Sequence, residues 1–267
     1  TILCVVILLL STNSWAWPTD SQWIPLPKGG DPILDDHLSG GKDGDSDATG
    51  SVNVVPYSGT TPAAYIYNDG TYLFYRIRLD SDPTGSGGQG ILQSFGWGFE
   101  IDTDQNPDDY EWLIMCDGIS SPEVVSLRLN TEKTAIGDPS DKAEYVAAEY
   151  PLVGNHRVIM ADSCTNDSTN PVNGCGTTPK DDRDYFLDFR IPYAVFLSAT
   201  GITEDSLIRY FVGSSNSTNN LTESGADLLA NERAVGVVKV PNSDKMAVVV
   251  ASGKALRKVE MELKEKT

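Results

Sequence analysis

The stretch YNDGTYLFYRIRLD, residues 67–80, narrows the fold more than any other part of the chain. After the tight-turn signal Asn68-Asp69-Gly70, Leu73, Tyr75, Ile77 and Leu79 alternate with Tyr72, Phe74, Arg76 and Arg78. Period two with one apolar face is a strand lying on a core, whereas helical spacing would spread those residues around a cylinder. The other face is expected to be solvated or to bind something.

Similar segments recur. Strands are expected at 52–55, 63–67, 96–102, 110–116, 123–129, 144–150, 156–161, 184–190, 207–213 and 234–240, separated by Gly, Pro, Asn and Asp. Many short strands with few helical periods point to an all-β, antiparallel β-sandwich with one or two short helices. One helix starts at Pro192 and stops at Gly201. A weaker one is expected near Glu223–Ala230.

The chain opens with the apolar run Ile2–Leu10, followed by Ser14-Trp15-Ala16. The run is too short for a bilayer and the small residues suit a cleavage site, so residues 1–16 read as a signal peptide incomplete at its start. The expected localisation is secreted, extracellular or at the cell surface. Residues 17–50 form an irregular acidic lead-in, 51–240 the β-sandwich domain, and 241–267 a C-terminal strand and tail. No later stretch is long and apolar enough for a membrane helix. The net charge of −18 argues against nucleic acid and anionic lipid, which need clustered Lys and Arg.

In an oxidising compartment Cys164 and Cys175, which flank TNDSTNPVNG, are the natural disulfide pair, a bridge contributing roughly 2–3 kcal/mol. Cys116, in EWLIMCDG, reads as a buried strand thiol. The sequons at Asn166, Asn216 and Asn220 matter only in a eukaryotic secretory route.

The main candidate site is FEIDTDQNPDDYEW, residues 99–112. Asp102, Asp104, Asn106 and Asp108 alternate like an oxygen cage for calcium (Ca2+), which takes six to eight hard oxygen ligands. The stretch is not an EF-hand, because the sixth position is Pro107 and the twelfth is Leu113. A plain Asp/Asn turn is the rival reading. Residues 99–112 contain no basic side chain, and uncompensated repulsion favours a bound cation. A looser acidic patch covers Asp35, Asp36, Asp43, Asp45 and Asp47.

Trp97 and Trp112 read first as core and second as sugar-stacking faces. Tyr72, Phe74, Arg76 and Trp112 make up the candidate ligand platform. Glu100 and Glu111 are the carboxylates a glycosidase reading would use, but no signature of hydrolase, nucleotide or zinc chemistry accompanies them.

PAAYIYNDGTYLFYRIRLDSDP, GWGFEIDTDQNPDDYEWLIMCDG and DYFLDFRIPYAVF, taken in order, resemble the carbohydrate-binding-module family-9-like and DOMON-like β-sandwiches of secreted bacterial proteins. The shared elements are the turn Asn68–Gly70, the run Arg76–Asp80, the hairpin Glu100–Asn106 and the late strand Asp184–Pro192. The resemblance implies a jelly-roll-like sandwich, often with structural calcium and sometimes with a sugar site. Some DOMON-like domains hold haem by Met and His, which here draws in Met115, Met160, His37 and His156; Met115 and Met160 read as ordinary strand fillers.

The leading expectation is a non-catalytic, calcium-stabilised binding module for extracellular carbohydrate or a cell-envelope polymer. The alternatives are a self-associating structural subunit of an extracellular layer or filament, in which the strand DKMAVVVA at 244–251 completes a neighbour's sheet, and a glycoside hydrolase.

Overall fold

The computed structural model describes residues 16–28, 31–32, 50–54, 63–85, 90–104, 106, 109–134, 141–161, 184–203, 206, 208–221, 228–230, 235–236, 246–252 and 255–261. Residues 1–15 of the expected signal peptide, the patch Asp35–Asp47, Asp108, and the expected disulfide pair Cys164 and Cys175 lie outside the described residues.

Three short strands come first: β1 (Ile24–Pro25), β2 (Pro27–Lys28) and β3 (Asp31–Pro32). Then follow β4 (Ala64–Asn68), β5 (Tyr72–Leu79), β6 (Gly96–Asp102), β7 (Trp112–Asp117), β8 (Val124–Leu129), β9 (Tyr145–Pro151) and β10 (His156–Met160). After β11 (Tyr185–Pro192) comes helix α1 (Tyr193–Thr200), then β12 (Arg209–Ser215), β13 (Leu228–Ala230), β14 (Val235–Gly236), β15 (Met246–Ser252) and β16 (Ala255–Met261).

Two antiparallel sheets make the sandwich, ordered β1-β4-β5-β11-β10 and β13-β12-β6-β7-β8-β9. In the second sheet β6-β7-β8-β9 is a meander, and β12, reached after β10 and β11 of the first sheet, pairs with β6 on its other side. The alternation read from the sequence fills the space between the sheets. Leu73, Tyr75, Ile77 and Leu79 of β5 join Trp97, Phe99 and Ile101 of β6, Trp112 and Ile114 of β7, and Tyr210 of β12 in one core. Tyr75 sits at its centre, 4.7 Å from Phe99 and 5.7 Å from Phe189 between ring centroids.

The outer faces are covered as well. Every residue of β6 and β7 is buried. Over the second sheet, Tyr110, Leu113, Met115, Ala143 and Leu221 form a smaller core, and the Ala143 amide donates to Asn219 O at 2.8 Å. Helix α1 begins directly after Pro192, buries Tyr193 and Phe196, and ends at Gly201 with φ 70°, where the left-handed conformation favours glycine.

The second expected helix does not form where it is described: Leu228–Ala230 is strand β13, paired with β12. The expected open strand at 244–251 is also different. Its described part, β15, pairs with β16 over Met246–Ser252 and, on its other side, with β14 at Val249 and Val250. Among the described residues no helix is long and apolar enough to cross a membrane.

Candidate functional site

The acidic turn joins β6 to β7 at one end of the sandwich. Carboxylate oxygens of Asp102, Asp104 and Glu111 lie within 4.8 Å of one another. Asp102 ends β6 and is fully buried. Its Oδ1 accepts the Asp104 amide at 3.0 Å, and Asp104 Oδ1 in turn accepts the Asn106 amide at 2.8 Å. These are local turns that Asp and Asn form with their own backbone. Glu111 reaches back across the turn and accepts the Thr103 amide at 2.7 Å and its hydroxyl at 3.1 Å. Of the four residues expected as ligands, Asp102 and Asp104 come together, and Asn106 enters through its backbone amide. Glu111, not assigned as a ligand from the sequence, is the third converging carboxylate. Its signal was present, as an acid at the foot of the hairpin.

The turn is not without positive charge. Arg209 of β12, paired opposite Asp102, puts its Nε and Nη2 on Asp102 Oδ2. Lys133 Nζ stands 2.6 Å from Glu111 Oε1 and 2.8 Å from Asp109 Oδ2. Desolvation works to lower the Lys133 pKa, but the hydrogen bonds it donates to Asp109 and Glu111, with their charges, together outweigh it and hold the ammonium above its ordinary value. Lys133 has φ 47°, a left-handed conformation uncommon for a non-glycine residue, and its amide donates to Asn130 Oδ1 at 3.0 Å. The premise that no base stands near the turn holds for residues 99–112 and fails in space.

The expected ligand platform is not a surface. Phe74 is 0% exposed and Arg76 only 3%, while Trp112 belongs to the other sheet and faces the inter-sheet core. Trp17, Asp20 and Trp23, in the segment before β1, cover β5 from outside. Trp17 lies edge-on to Phe74 at 5.6 Å, and Arg76 sits between the rings of Trp23 and Phe186 at 4.3 and 4.2 Å. Beneath this strap Asp188 is fully buried and accepts Arg76 Nε at 2.7 Å and Arg157 Nε at 2.6 Å. Asp184 pairs with Arg78 in the same way, at 2.5 Å. The outer face of the first sheet is thus a built salt-bridge and cation–π layer with its own lid of aromatic residues.

Other candidates separate. Glu100 is fully buried and accepts the Leu221 amide at 3.3 Å, whereas Glu111 is tied to Thr103 and Lys133, so the two do not face each other across an open cleft. Cys116 is in the core, and burial pushes its thiol well above the ordinary value. Met115 packs in the smaller core over the second sheet, while Met160 stands on β10 of the first. The His156 ring nitrogen Nδ1 is held at 2.8 Å by Leu152 O. Searches of protein families, curated proteins and solved structures find no match to this chain.

Proposed function

We propose that the protein is a non-catalytic, extracellular β-sandwich module for carbohydrate or a cell-envelope polymer, stabilised by calcium at the β6–β7 turn. The observation that carries the calcium reading is the convergence of Asp102, Asp104 and Glu111. Hard carboxylate oxygens at one point are the donor chemistry calcium takes. Arg209 already balances Asp102, so the ion's share is Asp104 and Glu111, with backbone oxygens and water completing the shell. Lys133 is then a built-in competitor, and calcium enters by displacing its ammonium from Glu111.

Calorimetric titration with calcium tests this. The parent chain binds one equivalent; Asp104→Asn binds at least ten-fold more weakly, and Lys133→Met more tightly. No heat from any of the three chains refutes the calcium reading. Asp102 is a poor probe, because its loss leaves buried Arg209 without its carboxylate whether or not an ion binds.

A second reading, a self-associating structural subunit, is favoured by one observation. Tyr145 (60% exposed), Val146 and Met160 stand out on the edge strands β9 and β10 of the two sheets. Light scattering with added calcium separates the readings: growth of assemblies that Val146→Lys prevents supports the subunit, and a constant monomer removes it.

A further inference from the structure

We propose that the binding site of this module is a cleft at the end of the sandwich opposite the acidic turn, and that its ligand is a neutral saccharide. The proposal rests on the binding-module reading and adds the place and the ligand class. β6 runs toward the acidic turn and β7 runs back to Asp117, so the segment after Asp117 lies at the far end. There, Gly90, Ile91 and Ser94 with residues 118–123 and 151–153 line a half-open cleft of about 350 Å³, near the lower limit for small-ligand sites.

Two carboxylates, buried Asp117 and half-buried Glu123, tie down the loops around the cleft. Asp117, 0% exposed, accepts the amides of Ile119 and Ser120 at 2.7 and 3.0 Å and the Ser120 hydroxyl at 2.6 Å. Glu123 accepts the amides of Ile91 and Leu92 at 2.8 and 2.9 Å, and its own carbonyl accepts the Leu152 amide at 3.2 Å. Gly118 donates to Phe95 O at 2.9 Å, so close that an added Cβ would stand 2.3 Å from Gln93 O. These bonds tie the three loops together without a ligand, which lowers the ordering cost of binding.

The same bonds decide the charge. Among the described residues Glu123 is the one ionisable residue in the lining, and its carboxylate is engaged by backbone amides. The described lining thus offers an anion no cation, and its one carboxylate is already bonded. The charge of −18 repels anionic polymers further. The lips are aliphatic, with Ile91 38% and Val153 73% exposed, and the rim carries the exposed hydroxyl residues Ser94 and Ser121. An aliphatic wall beside hydroxyl groups matches a neutral sugar ring, which has a C–H face and a hydroxyl edge. A wholly apolar ligand would leave the serine hydroxyls unmatched.

Amide NMR titration of the whole chain tests the proposal, with neutral gluco-, manno- and xylo-oligosaccharides and with oligogalacturonate as probes. A neutral sugar should shift Ile91, Ser94, Ser121 and Val153 saturably. Val153→Asp, on an exposed turn, should weaken that binding at least ten-fold while the rest of the spectrum stays in place. Neutral-sugar shifts confined to another surface overturn the cleft but leave the module reading standing. Shifts with oligogalacturonate alone overturn the neutral class. A neutral aliphatic peptide moving these amides when no sugar does replaces the ligand class, and an unmoved spectrum with every sugar removes both the cleft and the saccharide-module reading.

Discussion

Lys133 and Asp188 show opposite uses of a charged side chain. Lys133 is reached by a strained backbone and lies half-exposed between two acids, so its ion pairs are weak and exchangeable. Because its pKa is raised, whatever stability it adds is fully present below about pH 10.4 and is lost only as pH climbs through the raised value. Around neutrality its contribution should therefore be flat, and an alkaline unfolding series on Lys133→Met should differ in slope from the parent only above about pH 10. Asp188 is the reverse case. Asp188→Asn leaves Arg76 and Arg157 without their shared carboxylate under the strap, and should cost about 3–5 kcal/mol, read as a lower urea midpoint. A change under about 1 kcal/mol would mean that the arginines find water or other partners. Cys116 should resist a thiol reagent in the folded chain and react only on unfolding, as peptide mapping will show.

At the scale of elements, the strap over β5 is the main feature that the sequence left hidden. Alternation in YLFYRIRL tells which residues share a face, and Leu73 to Leu79 do line the core. It does not tell what covers the other face, because Trp17 and Trp23 arrive from more than fifty residues away with no periodic signal of their own. The double mutant Trp17→Ala/Trp23→Ala should lower stability by roughly 3–5 kcal/mol and expose Phe74 to a hydrophobic dye. An unaltered midpoint would show the strap to be an optional cover. The counterions of the acidic turn were hidden for the same reason. Asp102, Asp104 and Glu111 are close in sequence, whereas Arg209 and Lys133 come from β12 and from the loop after β8. Local signals were sufficient where local physics decides: β6 runs over Gly96–Asp102 as expected, and α1 stops at Gly201, where φ is positive.

For the molecule as a whole, the two ends of the sandwich differ. One end gathers carboxylates and their counterions; the other holds a cleft whose one ionisable lining residue among the described residues, Glu123, is bonded to backbone amides. Between them a single inter-sheet core, built round Tyr75 and Phe99, makes the ends one mechanical unit. An ion at the acidic turn would then stabilise the whole body, since anything that binds only the folded state raises its unfolding midpoint. Thermal unfolding in millimolar calcium against excess chelator tests this most directly. A higher midpoint is expected in calcium, a difference that Asp104→Asn removes and Lys133→Met preserves or enlarges. Equal midpoints for the parent chain in both buffers would contradict it and leave Arg209 and Lys133 as the only cations the turn requires.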